Sequence, residues 1–176
     1  MGGQPQVHGR ILGRVLFSLQ PISGGDAQHP NIQRRPEIIH GLRNLIQNAV
    51  DFARTTVWIE AEWADRLLSV RITDDGKGYP PQILGRIGDP FVRARAARQD
   101  LALRPEYEGM GLGLFIAKTL LERTGAELSF ANASDPFLVG SENPEKCGAI
   151  VDVQWPRLAI AASKDFVPGD NIIFKP

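Results

Sequence analysis

The stretch from Pro36 to Ala53 constrains this chain most. Ile38, Leu42, Leu45, Ile46, Ala49 and Val50 recur at helical spacing. Pro36 suits a first helical position, where a missing N–H does no harm, and Glu37 complements the helix dipole. His40, Asn44 and Asn48 follow at intervals of four, so they form one polar stripe beside the apolar face. Asparagine is a mediocre helix former because its side chain competes for backbone hydrogen bonds. The stripe is either an N-cap or solvated face, or a pair of amide oxygens aimed at a hydrated magnesium ion and phosphates. Neither asparagine stands at the helix start and their neighbours are apolar, which weakens the first reading. Mg²⁺ keeps several waters and takes few protein ligands, so one amide suffices for the second.

Strand patterns flank this helix. Arg14–Leu19 reads as a strand, followed by a turn-rich stretch from Pro21 to Pro30. Thr55–Glu62 and Arg66–Thr73 read as a hairpin joined at Ala64-Asp65. Asp74–Pro81 is a glycine and proline turn, and Pro81–Ile87 a short helix. Residues 92–108 show no periodicity and carry Arg93, Arg95, Arg98 and Arg104, and a loop of that length is usually functional or disordered. A helix runs from Gly113 to about Thr124, stopped by Gly125. Strands follow at Ala126–Ala131 and Ala149–Trp155. Residues 1–13 read as a linker or appended remnant, 14–157 as one folded domain, and 158–176 as an irregular tail. The expected fold class is an α/β (α+β) two-layer sandwich, a mixed, mostly antiparallel sheet on about three helices.

Two glycine segments offer chemistry. Asp74-Asp75-Gly76-Lys77-Gly78 follows a strand directly. Its glycines let the backbone approach a ligand, and a strand-end carboxylate accepts from an exocyclic amine. A plain β-turn is the simpler account of those residues alone. Gly109-Met110-Gly111-Leu112-Gly113 leads into a helix, a junction that favours a phosphate. It is not a P-loop, since Ala117 precedes Lys118-Thr119, nor a dinucleotide fingerprint, since Ile116 stands where glycine is needed.

Composition removes other classes. The 20 basic and 20 acidic residues cancel, which argues against a nucleic-acid binder. No apolar run approaches the roughly 18–20 residues that span a bilayer, and the N-terminus lacks the apolar stretch of a secretory signal. Cys147, the single cysteine, forms no internal disulfide and no CxxC metal site, and reads as incidental. A reducing cytoplasm is the expected setting.

In this order and spacing the segments resemble the GHKL (Bergerat) ATPases, and within them the catalytic domains of sensor histidine kinases. Asn44-Leu45-x-x-Asn48-Ala49 is similar to their asparagine box and Asp74-x-Gly76-x-Gly78 to their first glycine box. Asp89-Pro90-Phe91 resembles the phenylalanine box, and Gly109-x-Gly111-Leu112-Gly113-Leu114 the second glycine box. Gly148-Ala149, with a final strand ending at Trp155-Pro156, fits the closing segment. The wording of residues 44–53 and 114–125 is similar to the RegB/PrrB/ActS redox-responsive group.

The resemblance implies a Bergerat fold and Mg²⁺-ATP as cofactor. Asp74 would accept the adenine amino group, with Gly76 and Gly78 beside it. Asn48 would hold the metal, and Asn44 would line the phosphate site. Gly109, Gly111, Leu112 and Gly113 would close over the phosphates, and 92–108 would form the ATP lid. Hydrolysing relatives carry a glutamate base where Asn44 stands, so transfer is favoured over hydrolysis. Glu108, Asp51 and Ala149 depart from the family pattern, replacing a glycine, a basic residue and a threonine. The phosphoacceptor histidine would lie on a separate dimerisation domain, because His8, His29 and His40 all lack an acceptor-like context. The expected partners are that domain and, indirectly, a response regulator, with the fragment itself monomeric and its parent anchored in the inner membrane. An anti-sigma-type serine kinase and a non-catalytic ATP-binding scaffold are the alternatives on the same fold.

Overall fold

The computed structural model describes residues 14–22, 30–90, 112–133 and 145–162. Along the chain run β1 (Arg14–Pro21), α1 (Pro36–Phe52), β2 (Thr56–Trp63), β3 (Leu67–Asp74), a 3₁₀ turn (Pro81–Arg86), α2 (Gly113–Glu122), β4 (Glu127–Asn132), β5 (Ala149–Pro156) and the single-turn α3 (Arg157–Ile160). The strands form one five-stranded sheet in the order β1-β2-β3-β5-β4. β1 pairs parallel with β2, and every other pairing is antiparallel. This is the mixed, mostly antiparallel sheet on helices that the sequence predicts. Parallel strands need a crossover, and α1 is the crossover between β1 and β2.

Proline sets where α1 begins. Arg35, preceding it, stays extended at φ −116°, ψ 131°, as a residue before proline must. Leu45 and Ala49 of α1 and Leu114, Ala117 and Leu121 of α2 share one core with the inward residues of the sheet. Strand alternation supplies Val57 and Ile59 from β2, Val70 and Ile72 from β3, and Val151, Val153 and Trp155 from β5. The opposite face carries the ion pairs Arg71–Asp152, at 2.7 Å, and Lys146–Glu60, beside the buried Trp58 and Ile150. Among the described residues no helix covers β1, whose eight residues are all exposed.

Gly41 decides how closely the helices approach. It is buried, and a Cβ there would stand 2.5 Å from Leu121 Cγ. Gly41 of α1 thus packs directly against Leu121 of α2. α2 ends two residues before the expected Thr124, because Arg123–Gly125 form a turn with Gly125 at φ +85°. Thr124 is used there: its hydroxyl donates to Leu121 O at 2.6 Å and accepts from the buried Trp155 indole N–H at 2.8 Å.

The expected irregular tail starts too early. Residues 157–160 form α3, Ile160 is buried, and Gln33 N–H donates to Ile160 O while Ala162 N–H donates to Asn31 O. A one-turn helix carries no periodicity, which is why the sequence pattern misses it. Residues 1–13 and 163–176 lie outside the described residues.

Gly41→Ala is expected to destabilise the fold by about 1–3 kcal/mol through overpacking. Combined with Leu121→Val, it should cost less than the sum of the two single changes. Denaturant midpoints of the four proteins check this.

Candidate functional site

Asp74 ends β3 with 1% of its surface exposed. Its Oδ1 accepts from Gly76 N–H at 2.8 Å and Ala149 N–H at 3.1 Å, while its carbonyl accepts from Gly148 N–H at 2.9 Å. A Cβ on Gly148 would fall on Asp74 Oδ1, so only glycine lets β5 begin this close. Carboxylate oxygens accept hydrogen bonds, so a ligand bringing an N–H or O–H suits Asp74.

Asp75, the next residue, has a different task. Its carboxylate accepts from the N–H groups of Arg54 at 2.7 Å, Thr55 at 3.0 Å and Thr56 at 3.2 Å, and from the Thr55 hydroxyl at 2.7 Å. It therefore pins the turn between α1 and β2. Burial pushes the Asp75 carboxyl upward, but the Thr55 hydroxyl and the three amides outweigh it and hold it below its ordinary value near 3.8. The Arg54 guanidinium donates to Asp75 O at 2.8 Å and to Cys147 Sγ at 3.3 Å.

The two glycines of this turn answer to protein atoms. A Cβ on Gly76 would run into Phe52 O at the end of α1. Gly78 has φ +73°, and a Cβ there would stand 2.5 Å from Asn132 Oδ1. Asn132 accepts from Tyr79 N–H at 2.6 Å and donates from Nδ2 to Tyr79 O at 2.8 Å. The Tyr79 ring meets Phe130 edge-on, 6.1 Å between centroids.

On α1, His40 is exposed and Asn44 and Asn48 are half-buried. Neither asparagine side chain is hydrogen-bonded to another described residue. α2 starts at Gly113 after Leu112, with no side-chain cap and no acid in its first turn. A Cβ on Gly113 would meet nothing within 4 Å. Among the described residues nothing covers this helix start, and its N–H groups and dipole suit an anion. Gly109, Gly111, Phe91 and residues 92–108 lie outside the described residues.

The Asp74–Gly78 turn thus abuts the end of α1 at Phe52. Asp51 accepts from Gln47 Nε2 at 2.9 Å on the exposed side of α1, and Ala149 gives Asp74 its backbone N–H in place of a hydroxyl. An open cleft bounded by Arg14, Arg54, Trp58, Asp75 and Cys147 contains none of the nominated residues. Among the described residues no three His, Cys, Asp or Glu side chains converge on a metal position. Sequence reasoning missed Asn132 and the anchor role of Asp75. The only signal for Asn132 is a polar residue closing an apolar strand.

A family model described as "Histidine kinase-, DNA gyrase B-, and HSP90-like ATPase" matches residues 33–159. The sensor histidine kinase RegB of Cereibacter sphaeroides is 63% identical over 162 residues, 92% of this chain and 35% of that protein. The signal transduction histidine-protein kinase AfsQ2 of Streptomyces coelicolor is 35% identical over 102 residues, 58% of this chain and 18% of that protein. The chain spans about a third of the length of RegB. Among solved structures, the mycobacterial sensor histidine kinase MprB aligns with TM-score 0.55 at 21% identity, covering 81% of each chain. The catalytic domain of histidine kinase ThkA aligns with TM-score 0.55 at 19% identity, covering 81% of this chain and 80% of its own. At these identities the structural likeness is one of fold.

Asp75→Ala is expected to lower the melting temperature by about 2–4 °C at pH 7, a modest loss because water screens the site. The folded value lies below the unfolded one, so the contribution is complete above about pH 4 and is lost as pH falls through the folded value. Melting curves of both proteins at neutral pH and in mild acid should therefore converge on acidification.

Proposed function

This chain belongs to the histidine kinase-, DNA gyrase B- and HSP90-like ATPase family, and on that footing we propose that it binds Mg²⁺-ATP and donates the γ-phosphate to a histidine on a separate dimerisation domain. The observation that carries this reading is the buried Asp74 carboxylate, oriented by Gly76 and Ala149.

The residues present suit an adenine nucleotide. Asp74 offers an acceptor to the exocyclic amino group, with Gly76 and Gly78 forming the turn beside it. The open start of α2, at Leu112 and Gly113, suits phosphate oxygens. Asn44 and Asn48, half-buried on the α1 stripe, are the amides we assign to the phosphate side. Asn48 is the residue we assign to the metal, since Mg²⁺ satisfied by water and phosphate needs one protein oxygen. When bound, Mg²⁺ supplies charge neutralisation on the phosphate oxygens. Gly109 and Gly111 complete the phosphate loop in this reading, with residues 92–108 as the lid over it.

Asn44 favours transfer over hydrolysis, because an amide cannot take a proton from water. The chain's own part is to bind, orient and hold the nucleotide while the nucleophile comes from elsewhere. The partners are a dimerisation domain bearing the acceptor histidine and, through it, a response regulator, with no role for nucleic acid. No helix among the described residues is long and apolar enough to cross a membrane. In this reading the chain is a monomer on the cytoplasmic side of a parent anchored in the inner membrane.

Asp74→Asn is expected to weaken ADP affinity about 10- to 100-fold, the range for losing a hydrogen bond to a charged group. Calorimetric titration with Mg²⁺-ADP tests it, and equal affinity in the two proteins refutes the adenine assignment. Asn48→Ala is expected to slow phosphotransfer by about 100-fold or more while changing ADP affinity far less, because metal placement matters most where charge develops. Full transfer by that variant removes Asn48 from the metal role.

A further inference from the structure

We propose that Asn132 is a positioning residue for the nucleotide pocket: from the last position of β4 it holds the turn that orients Asp74, without touching ligand. The inference rests on the adenine-nucleotide reading of that pocket.

Asn132 lies 53 residues from Tyr79 in sequence, yet its side chain engages both main-chain groups of Tyr79 at 2.6 and 2.8 Å. With 9% of its surface exposed it is a buried amide with both ends satisfied. The arrangement needs a donor and an acceptor at one fixed spacing. Aspartate has no donor, serine is too short, and glutamine is one methylene too long.

The backbone around Gly78 is shaped to this amide. Its φ of +73° disfavours any side chain, and a Cβ there would stand 2.5 Å from Asn132 Oδ1. The second glycine of Asp74-x-Gly76-x-Gly78 therefore accommodates Asn132.

Asn132 also links the two amides that orient Asp74. Its backbone pairs with Ala149, whose N–H donates to Asp74 Oδ1 at 3.1 Å. Its side chain anchors Tyr79, at the far end of the turn whose Gly76 N–H donates to the same oxygen at 2.8 Å. Asp75 anchors the near end through the turn after α1. Between the anchors lie only Gly76, the exposed Lys77 and Gly78. Releasing Tyr79 lets Gly76 N–H leave the carboxylate, and Asp74 then keeps one of those two amides and loses its fixed direction.

The test compares ADP with inosine diphosphate, which lacks the exocyclic amine, on the whole chain with Mg²⁺. Wild type is expected to prefer ADP. Asn132→Asp keeps the shape and the acceptor but loses the donor to Tyr79 O, and Asn132→Ala removes both. Each should weaken ADP about tenfold, the equivalent of one net hydrogen bond, and reduce the ADP preference. Phe130→Leu, which disturbs the Tyr79 ring contact and core packing but not the Asn132 hydrogen bonds, should lower the melting temperature and leave the preference intact. If the alanine variant does not fold, the near-isosteric aspartate variant carries the test. A wild-type protein without ADP preference overturns the adenine reading itself. Wild-type preference kept in full by a folded Asn132→Asp overturns the positioning role alone.

Discussion

A carboxylate buried at the end of a strand must be held by amides, and Asp74 draws two of them from opposite directions. Gly76 comes from the turn that follows it, and Ala149 from the start of a strand distant in sequence. Both require the backbone to come closer than a side chain permits, which explains glycine at 76 and at 148. The meeting of β3, β5 and the end of α1 is thus built around one ionisable group. Burying an unpaired charge is costly, so the site and this corner of the fold are stabilised by the same bonds.

The adjacent aspartates show how one sequence motif divides its labour. Asp74 is turned inward, under β5, while Asp75 takes four donors from Arg54, Thr55 and Thr56 at the turn after α1. In the proposed reading one carboxylate meets the ligand, and the other fixes the backbone beside it. The strand ends between them, at Asp74, so Asp75 belongs to the turn it pins.

Much of this was legible in the sequence because it is local. The α1 stripe follows from spacing by four, Pro36 marks the helix start, and Asp74 stands at the end of an alternating strand. The same spacing shows why His40, Asn44 and Asn48 share a side of α1 while Leu45 and Ala49 enter the core. What escaped is long-range. Gly41 is explained only by Leu121, Gly78 only by Asn132, and Gly148 only by Asp74, and no window of sequence contains either partner. Glycines read as room for a ligand at 76 and 78 have protein neighbours, whereas Gly113 has none within 4 Å of its Cβ position among the described residues. Parallel pairing of β1 and the single turn of α3 carry no periodicity to read.

The family model places this chain among histidine kinase-, DNA gyrase B- and HSP90-like ATPases, and in the proposed reading Asn44 in place of a carboxylate inclines it toward donation. Donation needs a nucleophile held in line with the γ-phosphate, and proximity of that kind is worth roughly 7–11 kcal/mol at the extreme. The decisive measurement is incubation of the chain with γ-labelled ATP and Mg²⁺, with and without a separately supplied histidine-bearing dimerisation domain of a RegB-type kinase. The account predicts acid-labile label on the supplied domain and none on the chain. Label on His8, His29 or His40 of the chain, or none on the added domain from a chain that binds ATP, would contradict it.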